Sequence, residues 1–398
     1  MMRSNSKVFL LVLLGMLTAF GPFVTDMYLP SLPSMTTYFH TNVSMVQLGL
    51  TLSMVGLAVG QLLFGPISDR AGRRPPLIAA MILFIVSTIA CIFSVNIIMF
   101  ISLRLLQGIA GAGGIVISRS IATDKYDGRE LMKMLALIGA VNGIAPIAAP
   151  VIGGAVLSGS NDWREVFVVL LVIGALLLGG SFLLKESLPP ARRSKESMLK
   201  TFELFYVVVK NKKFMLYVLQ QGFAQFILFG NIASSPFIIQ QHYGFSEFGF
   251  GILFAINSVS IGASAVLSMK FRHAENSVKT SCTGMVIMSL LEAVVLFGDG
   301  NFWLYESILF VMLFMMGFTF TASTTLALDS ERKNAETASA MLGAICFLSG
   351  GIISPLVGIG NMLHTTAIIF MIGAGLSSVC AYLAMRGWKE SYVKPTEM

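Results

Sequence analysis

The residue with the clearest capacity for chemistry is Asp26, which interrupts a long apolar run near the start of the chain. It is the only charged residue between residues 8 and 36. An ionisable side chain in such a run is costly and marks an ion or substrate pathway by default. A carboxylate that binds and releases a proton is also what coupling to a proton gradient requires. We therefore predict that Asp26 binds both proton and substrate, with Tyr28 as a further substrate contact.

Arg104 is a basic residue inside another apolar run. With Gln107 and Gly108 it occupies positions i, i+3 and i+4, which lie on one face of a helix. A guanidinium about 8 residues into a span lies about 12 Å below the membrane surface, where it needs an anion, water or backbone partner. Two interpretations stay open: Arg104 takes part in proton coupling, or it forms a structural ion pair with Asp26.

Two other acids, Glu292 and Glu306, are given structural interpretations. We expect Glu292 to pair with a neighbour or to reach the polar boundary, and Glu306 to contact water near a span end. Several amide and aromatic side chains are predicted to line a binding cavity for amphipathic small molecules, since such sites combine apolar surface with sparse polar groups. The candidates are Asn142, Gln221, Phe223, Gln225, Asn231 and Asn257.

The remaining reactive residue types predict no catalysis and no metal site. The four cysteines all fall in apolar runs without metal-ligand spacing, and are interpreted as packing residues: Cys91, Cys282, Cys346 and Cys380. The four histidines lie outside the middle of any run, and no metalloprotease, catalytic-triad or phosphate-loop pattern occurs. We predict neither an enzyme nor a bound cofactor.

The elements that position these residues must be membrane-spanning helices. Only 12% of the 398 residues are charged, 55% are hydrophobic, and the mean hydropathy is +0.80. An ordinary soluble domain has about 25% charged residues, so most of the outer surface must face lipid. Long, nearly charge-free runs predict helices rather than a barrel. We predict an all-α polytopic protein with spans at 8–36, 43–64, 77–95, 97–118, 133–158, 164–184, 214–239, 248–269, 280–298, 303–326, 337–360 and 365–385.

The basic residues predict the orientation of these spans. With a cytoplasmic N-terminus, all of the 27 Lys and Arg residues except Arg104 and Arg164 fall in cytoplasmic segments. This is the pattern of the positive-inside rule, and it places both termini in the cytoplasm. Membrane orientation thus accounts for the net charge of +7, and no nucleic-acid partner is expected.

The chain divides into two predicted bundles of six spans, at residues 1–190 and 214–398. The cytoplasmic linker 191–213 lies between them, and its apolar patch 202–209 is expected to lie along the membrane surface. Short matches link the fifth span of each half, where Pro150 and Gly153 correspond to Pro355 and Gly358. Two similar halves are typical of a rocking transporter.

The loop from Gly65 to Pro76 reads GPISDRAGRRPP. Its positions resemble the G-x-x-x-D-R-x-G-R-R/K loop of the major facilitator superfamily, and Arg104, Gln107 and Gly108 resemble that superfamily's R-x-x-Q-G motif. The resemblance implies the major facilitator fold and a conformational latch between inward and outward states. Gly65 is expected to allow close helix approach. The latch candidates are Gly65, Asp69, Arg70, Gly72 and Arg73.

The fifth span looks like the Gly/Pro-rich motif of the drug/proton antiporter branch, with Ala149 where a glycine often precedes the second proline. Its small residues are expected to permit tight packing, and its prolines to bend the helix. The motif candidates are Gly139, Pro146, Pro150, Gly153 and Gly154.

The segments TDMYLPSLP (Thr25–Pro33) and Thr337–Gly358 resemble the bicyclomycin/chloramphenicol-resistance (Bcr/CflA-type) subfamily. This resemblance implies multidrug efflux in exchange for protons across a bacterial inner membrane, antibiotic resistance, and a transporter that acts as a monomer. Two alternatives stay open: a proton symporter importing a sugar, amino acid or carboxylate, and a membrane enzyme or receptor.

Overall fold

The computed structural model describes residues 5–160, 162–193 and 198–391. These residues form fourteen α-helices joined by short loops. They are α1 (Lys7–Asp26), α2 (Leu32–Tyr38), α3 (Val43–Ala71), α4 (Arg74–Ile92), α5 (Ile97–Lys125), α6 (Gly128–Ser160), α7 (Arg164–Leu183), α8 (Met198–Val209), α9 (Lys212–Phe237), α10 (Glu247–Leu267), α11 (Ala274–Phe297), α12 (Phe302–Ser330), α13 (Ala335–Leu356) and α14 (Met362–Ser391).

Twelve segments of the described chain are long and apolar enough to cross a membrane, as predicted. Helices α1 and α2 together make the first, α8 is not among them, and each other helix makes one. Large apolar side chains point outward, with Leu176 73% and Val294 72% exposed. A lipid environment accounts for such surfaces, because water would disfavour them.

Side-chain caps define where several helices begin. Asn42, Asn96 and Asn301 each accept a backbone N–H from the first turn of α3, α5 and α12. An asparagine at this position satisfies a donor that the helix itself leaves free. Very short breaks were predicted near residues 96 and 361–364. The structure has a break at each place, since α4 ends at Ile92 and α5 begins at Ile97, while α13 ends at Leu356 and α14 begins at Met362.

Two helices, α1 and α2, make up the first predicted span, 8–36. Helix α1 ends at Asp26, a 3₁₀ turn follows at Leu29–Ser31, and α2 then begins at Leu32. Pro30 and Pro33 lack the backbone N–H that a continuous helix would need at these positions. The interruption leaves the Asp26 side chain at a helix end.

The folded chain divides into two compact units. Unit 1 contains Met1–Met198 and Ser235–Ala255, and unit 2 contains Leu199–Ser234 and Ile256–Met398. The predicted bundle boundaries at 190 and 214 stay a prediction, and part of the predicted linker, 194–197, lies outside the described residues.

The core of unit 1 is built from α1, α3, α4, α5, α6 and α7. Helices α3 and α5 approach so closely that an added Cβ on Gly56 would lie 2.8 Å from the Ile109 nitrogen, and one on Gly60 would lie 2.6 Å from the Ile109 oxygen. Glycines four residues apart are known to let membrane helices pack backbone to backbone.

In unit 2, α11 packs against α12 and α14, and a buried cluster joins α8 to α9, α12 and α13. Val208 of α8 is fully buried in that cluster beside Phe214 and Tyr217. Tyr206 and Val207 remain exposed on the other side of α8. Helix α8, which was predicted to lie along the membrane surface, thus also packs one residue, Val208, into the core of unit 2.

Candidate functional site

Asp26 is buried at the C-terminal end of α1, with 7% of its surface exposed. The Thr25 hydroxyl donates a hydrogen bond of 2.7 Å to its Oδ1 atom. Among the described residues, no Lys or Arg forms an ion pair with Asp26. Its charge therefore has no fixed cationic partner within hydrogen-bond reach, which suits a carboxylate that binds and releases a proton.

Arg104 is fully buried in α5 and bonds in two directions. Its Nη2 donates to the Val24 carbonyl at 2.9 Å, and its Nη1 donates to Oε1 of Gln107. Gln107 in turn donates to the Thr88 hydroxyl at 2.7 Å. The expected backbone partner is thus present, whereas the ion pair with Asp26 that the sequence left open is not among these contacts.

Tyr28 lies against Arg104, whose guanidinium carbon is 4.3 Å from the centre of the tyrosine ring. The ring of Phe167 also lies 5.9 Å from that of Tyr28. A desolvated cation over an aromatic face is stabilised by the ring quadrupole. Tyr28 is fully buried and helps to hold Arg104, a role that its sequence position did not reveal.

The glycines of the predicted antiporter motif in α6 differ in their surroundings. An added Cβ on Gly154 would lie 2.6 Å from the Glu247 carbonyl oxygen, and one on Gly153 would overlap the Met27 carbonyl. Gly139 has open space around it. The expected tight packing is therefore present at Gly153 and Gly154 but not at Gly139, and Pro146 and Pro150 lie within the same helix.

The predicted drug-facing residues lie in both units. Asn142 is half-buried in α6 of unit 1. In unit 2, Gln221 accepts a hydrogen bond of 3.1 Å from Thr324, and Phe223 makes an edge contact with Phe226 at 5.3 Å between ring centres. Further along α9, the buried side chains of Gln225 and Asn231 each keep an oxygen without a hydrogen-bond partner. Asn257 instead donates to Glu306 at 2.8 Å.

The expectations that Glu306 contacts water and that Glu292 reaches the polar boundary were wrong, because both acids are buried. Glu306 lies near the start of α12, as expected, but only 8% of its surface is exposed there. Glu292 is fully buried, and neither of its oxygens has a hydrogen-bond partner. Hydropathy gives the depth of a residue along a helix, but it does not give the face on which the residue lies.

The predicted latch is built around Arg73, between α3 and α4. Its guanidinium binds Asp69 and, at 2.8 Å, Asp124 at the end of α5. Burial lowers the pKa of Arg73, but its hydrogen bonds to Asp124 and Asp69 outweigh that effect and raise the pKa above its ordinary value. Arg73 therefore stays charged and joins three helices. Arg70 beside it is half-buried.

The segment after α7 joins this latch, which the sequence did not predict. The Glu186 carboxylate accepts the backbone N–H groups of Arg73 and Arg74 at 2.8 and 3.1 Å, and the Ser187 hydroxyl donates to Asp124 at 2.8 Å. A carboxylate at a helix N-terminus is favoured by the free N–H groups and by the helix dipole. We call residues 184–193 the strap.

The two glycines of the latch have different roles. Gly72 has a φ of +92°, and an added Cβ would lie 2.6 Å from Oε2 of Glu186. Only glycine fits both that conformation and that approach. The close helix approach expected at Gly65 was wrong, because an added Cβ there would meet no described atom within 4 Å.

A family model described as Major Facilitator Superfamily matches residues 11–355. An uncharacterized MFS-type transporter of Bacillus subtilis, YdgK, is 37% identical over 92% of this chain and 91% of its own length. A chloramphenicol resistance protein of Pseudomonas aeruginosa is 27% identical over 84% of this chain and 78% of its own. These similarities support the predicted drug-efflux branch.

The fold is similar to that of a crystal structure of a bacterial homologue of the human lysosomal transporter Spinster, with a TM-score of 0.76. The two chains are 16% identical, and the match covers 98% of this chain and 100% of the other. At this identity the likeness concerns the fold alone, and it agrees with the predicted twelve-span architecture.

Proposed function

Because this chain belongs to the Major Facilitator Superfamily, whose members are transporters and not enzymes, we propose that it is a proton-coupled antiporter. It exports small drugs or other amphipathic compounds from the cytoplasm by alternating access. The proton gradient supplies the energy, and no cofactor takes part. It works as a monomer in a bacterial cytoplasmic membrane, with both termini inside the cell. The relative named for chloramphenicol resistance supports a drug as substrate.

One observation carries this proposal: Asp26 is a buried carboxylate at a helix interruption, without a cationic partner among the described residues. A carboxylate locked in an ion pair would keep its charge through the cycle. Asp26 instead has one hydroxyl donor, Thr25, and can exchange a proton for a polar or cationic group of a drug. Proton and drug then weaken each other's binding, and this coupling is reciprocal.

Arg104 acts in this proposal as a positioning residue. It binds the carbonyl of Val24, two residues before Asp26, and so fixes the end of α1. The amides and aromatics of α9 are proposed as drug contacts, since Gln225 and Asn231 have unpartnered oxygens and Phe223 offers an aromatic face. The latch around Arg73 stabilises one conformational state.

The test uses Asp26→Asn, which keeps the shape of the side chain but cannot ionise. Neutralising an intramembrane charge removes an insertion cost of about 2.5–3.5 kcal/mol, so the variant is expected to reach the membrane. We expect it to lose drug-induced proton release in detergent solution, and its drug affinity to lose pH dependence. Asp127→Asn is the matched control, since Asp127 is an exposed acid of the same unit. Undiminished release from Asp26→Asn would refute the assignment.

The symporter alternative differs in the direction of the proton. In membrane vesicles, an antiporter moves protons opposite to the drug, whereas a symporter importing a small metabolite moves both the same way. A susceptibility panel in a strain lacking its own exporters, with and without a protonophore, would identify the compounds to use. Proton movement in the same direction as the substrate would support the alternative.

A further inference from the structure

Two acids of unit 2, Glu292 and Glu306, lie at a similar depth in the fold. Helix α11 ends at Phe297 and α12 begins at Phe302, so the two helices form an antiparallel hairpin. Glu292 precedes the hairpin loop, and Glu306 follows it, each by about 6–8 Å along its helix. Helices α11 and α12 pack against each other along this hairpin, so both buried acids lie at the same level of one helix pair.

The hydrogen bonds of this pair leave too many acceptors. Neither oxygen of Glu292 has a partner, and the same holds for Oε2 of Glu306 and Oδ1 of Asn257. Nδ2 of Asn257, on a third helix, donates a hydrogen bond of 2.8 Å to Oε1 of Glu306. Asn257 is itself buried, with 4% of its surface exposed. Buried acceptors without donors are costly, and a bound proton converts one acceptor into a donor.

No described cation compensates the pair. Lys279, on the same helix as Glu292, lies about 20 Å away along α11. The other described Lys and Arg residues of unit 2 lie at the end of the helices where α11 begins, opposite the hairpin loop. Nearest the hairpin loop in the sequence of the packed elements, the other titratable groups are Tyr305 of α12, His364 of α14 and Asp299 of the loop itself. The titratable groups further along these helices are Cys282 and Glu275 of α11, Asp329 of α12, and Cys380 and Tyr382 of α14. His364 is exposed and stacks on Phe297, with 4.9 Å between the ring centres.

We infer that Glu292 and Glu306 form a second proton-binding site, in unit 2, with Asn257 holding Glu306 in place. Two neighbouring carboxylates in a water-poor interior without a cation cannot both stay ionised, because each charge disfavours the other. One carboxyl therefore holds a proton taken from water, and its O–H donates a hydrogen bond to another oxygen of the pair. This site is separate from Asp26, which lies in unit 1.

The first test labels the unmodified protein with dicyclohexylcarbodiimide, a hydrophobic reagent that adds to protonated carboxyl groups in apolar surroundings. Peptide mass spectrometry should find the adduct on Glu292 or Glu306 at neutral pH, and the labelling should fall as the pH rises. Glu275, at the other end of α11, is the internal control and should remain unlabelled. Labelling that sodium suppresses without any pH dependence would overturn the inference in favour of a cation site.

The second test reads protonation directly by infrared spectroscopy of the purified protein. Glu292→Gln and Glu306→Gln keep the side-chain shape, and at least one of them should lose a protonated-carboxyl C=O band that Glu275→Gln keeps. A wild-type band in both variants, together with no labelling of either acid, would overturn the inference. Neither readout requires drug transport, so failure here would leave the proposed antiport untouched.

Discussion

At the residue scale, Arg104 shows how a buried guanidinium is retained inside a membrane protein. It contacts a backbone carbonyl, an amide and an aromatic ring, and its hydrogen bonds run in different directions. A lysine ammonium is a compact charge and cannot reproduce this planar fork. These contacts therefore stabilise the end of α1 against α5.

We expect Arg104→Lys to lower the stability of the purified protein by about 1–3 kcal/mol, since one buried acceptor loses its donor. Thermal unfolding in detergent measures this change. The pH midpoint of drug-induced proton release should stay where it is, because Arg104 and Asp26 form no ion pair. Arg119→Lys, at an exposed position of the same helix, is the control and should be neutral. A large shift of the midpoint in Arg104→Lys would show direct electrostatic coupling.

At the element scale, the contact between α3 and α5 depends on glycines from both helices. Gly56 and Gly60 of α3 contact the α5 backbone, and an added Cβ on Gly108 would overlap the Ser53 carbonyl of α3. Close backbone approach of this kind replaces the hydrophobic driving force that lipid removes. A single methyl group is enough to separate the two helices.

We expect Gly108→Ala to reduce the yield of folded protein sharply, because the added methyl would force α3 and α5 apart. Gly65→Ala is the matched control on α3, since its added methyl would meet no described atom within 4 Å. Fluorescence-detected size-exclusion chromatography of both variants measures the folded fraction. Normal yield from Gly108→Ala would contradict the packing argument.

The latch is a second contact between elements, because it joins α3, α4, α5 and the strap. Asp124 is 12% exposed in its ion pair with Arg73, whereas Asp69 is 48% exposed. Exposed ion pairs contribute about 0.2–1 kcal/mol, and buried ones cost more when one partner is removed. Asp124, which is not part of the loop motif, is therefore a stronger partner of Arg73 than Asp69 is.

We expect Asp69→Asn to cripple turnover while leaving drug affinity largely intact, because a shift of about 1.4 kcal/mol between two states changes their ratio tenfold. Asp124→Asn should reduce turnover further and also lower the unfolding temperature. Transport assays in proteoliposomes, paired with equilibrium drug binding, separate these effects. Equal losses of binding and transport in both variants would instead make the loop a support of the drug site.

The sequence predicted the spans and the Asp69–Arg73 turn because both depend on local information. Hydropathy locates a span, and Asp69 and Arg73 lie only four positions apart in the sequence. Asp124 and Glu186 were missed because they lie 51 and 113 residues from Arg73 in the chain. The roles of Gly65 and Glu306 were mistaken because a single sequence does not tell which helix packs against a given face.

At the scale of the whole molecule, the distribution of basic residues predicts the orientation in the membrane. Single cysteines at Ser197 and Asn334 should be protected from an impermeant thiol reagent in intact cells, whereas one at Asn42 should react. Ser197 lies outside the described residues, so Lys333, which is exposed, is a better inner position. The native cysteines, all buried, should first be replaced. Labelling of the cysteine at position 333 in sealed cells would contradict the predicted orientation.

The lack of an ion pair between Asp26 and any described Lys or Arg has an electrical consequence for transport. When one proton enters as one neutral drug molecule leaves, a net charge moves inward, and the membrane potential adds about 2.3 kcal/mol per 100 mV to the driving force. When the drug carries one positive charge, the two movements cancel and only the pH difference drives export. An ionophore that collapses the voltage alone should therefore slow the export of neutral compounds and spare that of monovalent cations.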